Sequence, residues 1–296
     1  MSAHGPPIAR SATGRRAKDL GFRLALLSCL GLSILLLGVL LYDVAVDGVG
    51  HLDWSFISSF TSIDADKAGA QAAIWGTIWL MVICAVFIVP VGVATAVYLE
   101  EYADETRWWN RLIEVNIQNL AAVPSIVYGI LGLAFLVRGP LSLGNTILAG
   151  GLTLGLLVLP VVIIAGREAI RAVPSSIREG SMALGATEWQ TIWRQVLPAA
   201  VPGIATGVIL ALSRAIGETA PLIVVGAATV IAFNPDGLDS QFTALPIQIF
   251  DWISRASNDV NNYKPLAAAG ILLLMLLLLA MNSAAIWLRN RYERKW

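Results

Sequence analysis

Long apolar runs separated by short polar segments set the pattern of this chain. One run covers residues 24–41. Others lie within 72–99, 120–137 and 146–165, from 203 onwards, and over 266–288. Each approaches or exceeds the length of about 20 apolar residues that crosses a bilayer as an α-helix. The pattern predicts six membrane-spanning helices and an all-α polytopic membrane protein. Pro90, Pro124 and Pro160 fall within or near the ends of these runs. A membrane bundle tolerates them because neighbouring helices and ordered waters re-satisfy the freed backbone groups. Gly151 and Gly155, and Gly203 and Gly207, form small-xxx-small pairs that permit close helix crossings. The expected division is a disordered tail over 1–19, a first span with an acidic outer loop over 20–71, a five-helix core over 72–288, and a basic tail over 289–296.

One run departs from the pattern. Between residues 203 and 233 Arg214 and Glu218 are the only charges. A charge at the centre of a membrane helix costs about 2.5–3.5 kcal/mol on insertion scales, and such residues usually face a protein interior or a wet cavity. The two residues are four apart, on one helix face. Their order, Arg before Glu, is the weaker one for a local pair, so a partner outside the helix is expected. Pro221 cannot donate to the carbonyl of Gly217 and crowds it; these two residues mark an expected break beside the charged pair. If the helix enters the membrane at Gly203, Arg214 lies about 16 Å further on, near the middle of a hydrocarbon core about 30 Å thick. Two readings stand: mutual neutralisation of Arg214 and Glu218, or a charged point on a transport path. The run is too long for one straight span, since 31 residues reach about 46 Å. A broken helix with a return to the outer surface is expected, ending at the Asn234–Gly237 turn.

Residues 167–198 form the longest inward connection. Ser176 and Glu179 fit a capping box, and so do Thr187 and Gln190. The expected structure is a short helix over 177–184, closed by Gly185 in the left-handed conformation, and a second helix ending near Leu197, before Pro198. Such a hairpin either lies on lipid headgroups, anchored by Trp189 and Trp193, or docks a partner.

The 296 residues are 57% hydrophobic and 14% charged, with a mean hydropathy of +0.72. Soluble domains average about 25% charged residues. Formal net charge is zero, which gives no footing for a nucleic-acid partner. Cys29 and Cys84 both fall in apolar runs and read as small buried hydrophobes; His4 and His51 have no metal-ligand spacing. No metal site and no cofactor is expected. The first apolar run exceeds the 7–15 residues or so of a signal-peptide core and lacks a cleavage site, so it reads as a retained span. Most of the 20 basic residues, among them Arg10, Arg15, Arg16, Arg167, Arg171, Arg178, Arg289 and Arg291, fall on one side of the six-span arrangement. By the positive-inside rule that side is the cytoplasm, and it holds both termini. Residues 100–119 go against the count with an acidic excess, but acidic residues weigh little in this rule.

Two segments resemble a known family. Glu179-Gly180-Ser181, Gly185 and Leu197-Pro198 stand at the spacing of the EAA loop of ABC-transporter permeases of the binding-protein-dependent (MetI-like) type. Gly180-Ser181 replaces the usual Ala-Ala, and Gln195 an isoleucine. The run from Ser213 to Leu222 resembles the matching segment of the A-type phosphate permeases (PstA). So do Leu99–Tyr102, Val123–Gly129, Arg171–Pro174 and Leu245–Phe250. The sister permease PstC shares the Arg-x-x-Gly-Glu element. The resemblance implies an ABC importer type I permease fold and a multi-pass place in the bacterial inner membrane. It also implies inorganic phosphate as substrate, a PstC-like sister permease, a PstB-like dimer of ATPase subunits, and a PstS-like periplasmic or lipid-anchored binding protein. Under it Arg214 and Glu218 belong to the translocation pathway. Glu179, Ala183, Leu184, Gly185, Ala186 and Thr187 would couple the ATPase to the membrane. The chain has no Gly-Lys dipeptide and so no Walker A loop; it is expected to be no enzyme, with hydrolysis on a partner. A permease for another oxyanion or solute, and an ATP-independent channel or membrane enzyme, are the other classes.

Overall fold

A computed structural model describes residues 12–104, 106–255 and 262–292. Among these the chain is helical throughout its ordered elements. Five helices are long and apolar enough to cross a membrane: Lys18–His51, Gln71–Tyr102, Ile147–Arg171, Glu188–Ala215 and Lys264–Arg291. A sixth crossing needs the pair Trp108–Ala121 and Ser125–Val137, which meet at 111°. We number the helices α1 (Ala12–Gly48), α2 (Trp54–Ser58), α3 (Gln71–Val97), α4 (Trp108–Ala121), α5 (Ser125–Leu131) and α6 (Ile147–Arg171). They continue as α7 (Ser175–Ala183), α8 (Glu188–Thr191), α9 (Leu197–Ala215), α10 (Ala220–Val225), α11 (Leu245–Ser254) and α12 (Lys264–Tyr292).

The core is α6 packed between α3 and α9. Leu80, Cys84, Ile88, Leu154, Leu157, Val158 and Ala211 bury their side chains there. Lipid tails are as apolar as these side chains, so close packing rather than burial from water holds a membrane bundle together. The small-residue pairs supply that closeness. A Cβ added to Gly151 would lie 2.6 Å from Ile83 Cγ2, and one added to Gly155 would lie 2.5 Å from Phe87 Cδ1. Gly203 and Gly207 meet Ala169 and Ala165 in the same way, at 2.6 and 2.4 Å. The α3–α6 and α6–α9 crossings therefore sit on these glycines.

The end of the bundle at which α11 lies is tied by buried polar groups. Thr77 Oγ1 donates to the Ala73 carbonyl and accepts from the Leu245 amide at 2.9 Å, which pins α11 to α3. Gln248, fully buried on α11, is 2.9 Å from the Thr61 hydroxyl. α1 stands apart. Its residues from Leu20 to Leu41 are exposed, and it meets the core through Gly48, whose added Cβ would lie 2.7 Å from the backbone of Ala268.

Several boundaries differ from expectation. The expected disordered tail is helical from Ala12, with residues 1–11 outside the described ones; the basic tail continues α12 as far as Tyr292, and residues 293–296 are likewise outside. The third run is not a straight span: Pro124, in extended backbone (φ −56°, ψ 138°), separates α4 from α5, because the residue before a proline is pushed out of the helical region. Cys29 is exposed on α1 rather than buried. The fifth span does not begin at Gly203. The chain runs as one rod from Glu188, through a π-helical turn at Ile192–Val196, into α9. Pro198 falls just after the π-helical turn, inside the continuous rod, and removes one backbone donor there without ending the helix. The second short helix of the 167–198 loop is therefore the first end of a span.

Candidate functional site

The charged pair stands at a true break. α9 ends at Ala215, the chain turns through Ile216–Thr219, and α10 restarts at Ala220 with Pro221 in its first turn. Pro221 thus opens a new helix instead of kinking an old one, and Gly217 lies inside the turn. Arg214 Nε reaches Glu218 Oε1 at 3.4 Å, a single long contact. The Arg214 side chain is 43% exposed and that of Glu218 is 18% exposed. The remaining guanidinium nitrogens make no hydrogen bond among the described residues. Around it on α9, Ala211 and Ala215 are buried in the core, and Ser213 Oγ donates to Asn282 Oδ1 of α12 at 2.7 Å. Arg214 is thus only part-covered by its own bundle, and its charge lies within electrostatic reach of the buried Tyr128 of α5. α10 packs on α5, where Gly129 leaves room for Pro221: an added Cβ would lie 2.8 Å from Pro221 Cα. Counted from Leu197, Arg214 is about 26 Å along the helix. A midplane position then requires the first turns of the rod to stand clear of the hydrocarbon, because no helix boundary marks Gly203 as an entry point.

At the other end of the rod, α7 and α8 make the hairpin. Thr187 Oγ1 accepts from the Gln190 amide at 3.3 Å, and Gln190 Oε1 accepts from the Thr187 amide at 3.1 Å, a complete capping box. The expected first box is absent. α7 starts two residues earlier, at Ser175, so Ser176 lies within the helix and Pro174 takes the cap position without a side-chain bond. Gly185 has φ +86°, a conformation that closes helices and that a side chain disfavours. The resulting tip presents Leu184, 91% exposed. Trp189 and Trp193 stack at 5.4 Å along the rod. Of the expected coupling residues, Ala183 to Thr187 form this tip, while Glu179 lies back on α7.

What sequence reasoning missed is how the hairpin is attached. Arg178 of α7 holds Glu101 with two contacts, at 2.7 and 3.4 Å, and also donates to the carbonyls of Val173 and Ile170 at 2.7 and 3.1 Å. Arg171 holds Glu100 with two bonds, at 2.8 and 3.0 Å. Arg167 bridges Glu100 at 3.3 Å and Glu114 of α4 at 2.9 Å. Two-bonded guanidinium–carboxylate contacts are the strong, directional kind. They join the ends of α3 and α6 to α4 and α7. Nearby Asp104 is held below the usual carboxylate value by hydrogen bonds from the Thr106 hydroxyl and amide. The signal for the network was the acidic excess of residues 100–119, which sits opposite Arg167, Arg171 and Arg178.

The chain matches the family model described as "Binding-protein-dependent transport system inner membrane component" over residues 88–294. The chain belongs to this family of ABC importer permeases. It is 30% identical over 273 residues to a probable ABC transporter permease of Bacillus subtilis, covering 89% of this chain and 92% of the relative. It is 40% identical over 183 residues to the phosphate transport system permease protein PstA 1 of Mycobacterium tuberculosis, covering 62% of this chain and 59% of that one. It is 30% identical over 247 residues to PstA of Yersinia pestis, covering 83% and 81%. Among solved structures, an inward-facing MetNI methionine ABC transporter matches with a TM-score of 0.61 at 17% identity, over 75% of this chain and 95% of that one. The two share a fold. The chain is thus a multi-pass inner-membrane permease of a family whose members work with an ATPase and a binding protein. In this family ATP hydrolysis lies on separate subunits, so the permease itself is not an enzyme.

Proposed function

We propose that the chain is one of two permeases of an ATP-driven inorganic phosphate importer, with a PstC-like sister permease, a PstB-like ATPase dimer and a PstS-like binding protein. The relatives named as phosphate permeases support the substrate. The observation that carries the site reading is the exposure of Arg214. A guanidinium on a membrane helix is stable where it finds water or a partner, and this one is 43% exposed with donors unused. A sister permease against that face would make the passage between the two subunits. Guanidinium offers an oxyanion parallel donors, and Glu218 competes for them, so the ion is drawn in and released.

Both termini and the α7–α8 tip lie on the cytoplasmic side in this reading. Leu184, Gly185, Ala186 and Thr187, carried by Ala183 and Glu179, sit in a groove of the ATPase. ATPase closure pushes on the tip, and the α8–α9 rod carries the displacement to Arg214. The test is uptake by the complete transporter in vesicles. Phosphate should accumulate only with ATP and binding protein, and sulfate and molybdate should not. Uptake of either in place of phosphate would overturn the substrate assignment.

A further inference from the structure

A second polar site lies beside the arginine network. A cavity of about 410 Å³ opens between the end of α3, α4 and the last turns of α6, with Asn110, Arg111, Glu114, Arg167 and Arg171 as its polar lining. Arg167 and Arg171 are held by Glu100 and Glu114. The guanidinium of Arg111, an exposed residue, makes no hydrogen bond or ion pair among the described residues. Asn110 is only 6% exposed. Its Nδ2 donates to the Asp104 carbonyl at 3.0 Å, which fixes the amide and leaves Oδ1 buried with no partner. A buried acceptor left unmet is costly and is rare in native structures.

The exposed guanidinium without an anion and the buried acceptor without a donor ask for opposite things. Arg111 calls for an anion; Asn110 Oδ1, with Glu114 nearby, calls for an N–H donor. A free phosphate dianion meets only the first demand and would set oxygen against oxygen at Asn110. A zwitterion with a phosphate and a primary ammonium meets both. The surroundings point to where such a ligand comes from. α4 turns away from α5 at 111° and leaves Trp108, Trp109, Leu112 and Ile113 exposed. That is the make-up of a helix lying at the headgroup level. Basic pockets between helices at that level take lipid headgroups.

We propose that this cavity holds the phosphoethanolamine headgroup of a membrane phospholipid, with the phosphate on Arg111 and the ammonium on Asn110 Oδ1 and Glu114. The bound lipid fastens α4 to the ends of α3 and α6, next to the hairpin that meets the ATPase. Native mass spectrometry of the complete transporter, delipidated and then titrated, tests this. Phosphatidylethanolamine should be retained about tenfold more tightly than phosphatidylcholine, whose methyl groups remove every N–H donor. Arg111→Gln should weaken both lipids. Asn110→Leu should erase the preference between them. Millimolar inorganic phosphate should displace neither. Equal retention of the two lipids by the unaltered protein, which needs no variant to fold, would overturn the proposal. Displacement by phosphate would also overturn it and make the cavity an anion site.

Discussion

Replacing Arg178 by glutamine tests whether the guanidinium–carboxylate contacts fasten the hairpin. The guanidinium makes two contacts to Glu101 and two to backbone carbonyls. Its loss leaves the Glu101 side chain, only 10% exposed, without its cation. Breaking a fully buried pair costs about 3–5 kcal/mol, and hydrogen bonds to charged groups contribute about 1.5–3 kcal/mol. Arg178 is 23% exposed, and glutamine keeps one donor, so about 2 kcal/mol is the reasonable figure for this site. At 1.4 kcal/mol per tenfold, that raises local opening of α7 about 30-fold. Hydrogen exchange over residues 170–186 in the assembled transporter should report it, with the α3–α6 core unchanged. Glu101→Gln in the same chain should recover part of the loss, because the stranded carboxylate is then neutral. Exchange in Arg178→Gln matching the unaltered protein would refute the reasoning.

Gly76→Ala sets a Cβ 2.0 Å from the Thr243 carbonyl, so the backbone must move; thermal unfolding should show a loss of about 1–3 kcal/mol, while Gly31→Ala, with no atom within 4 Å, should show none. Leu184→Asp should leave folding intact, since the side chain packs on nothing within the chain, yet weaken ATPase binding at least about tenfold in a pull-down from membranes. Asp53 caps α2 through the Phe56 amide at 2.8 Å and the Ser55 hydroxyl at 2.8 Å, and these bonds lower its pKa from the usual 3.8. A lowered pKa means the cap stabilises α2 above that value and is lost as pH falls through it. Protection of the Phe56 amide, corrected for intrinsic exchange, should drop in acid and be flat in Asp53→Ala.

The spans were legible because their signal is length and apolarity, which no tertiary contact overrides in a bilayer. Gly151, Gly155, Gly203 and Gly207 were legible as crossing points for the same local reason. The bend at Pro124 and the continuous rod through Pro198 were not. One proline separates two helices and the other follows a π-helical turn within a continuous rod. Arg214 and Glu218 were visible as charges in an apolar run, but their depth was not, since the rod has no boundary at Gly203. The Arg178–Glu101 contact joins residues 77 apart, and no local pattern specifies such a pairing. Asn110 became notable only once its carboxamide was found buried with one end unmet.

The direct test of the transport reading is ATP-driven phosphate uptake by the fully assembled transporter carrying Arg214→Gln. Assembly and ATPase binding should be unchanged, because the side chain makes only one long contact within its own chain, and uptake should be abolished. Normal uptake by that variant would contradict the placing of Arg214 on the phosphate path.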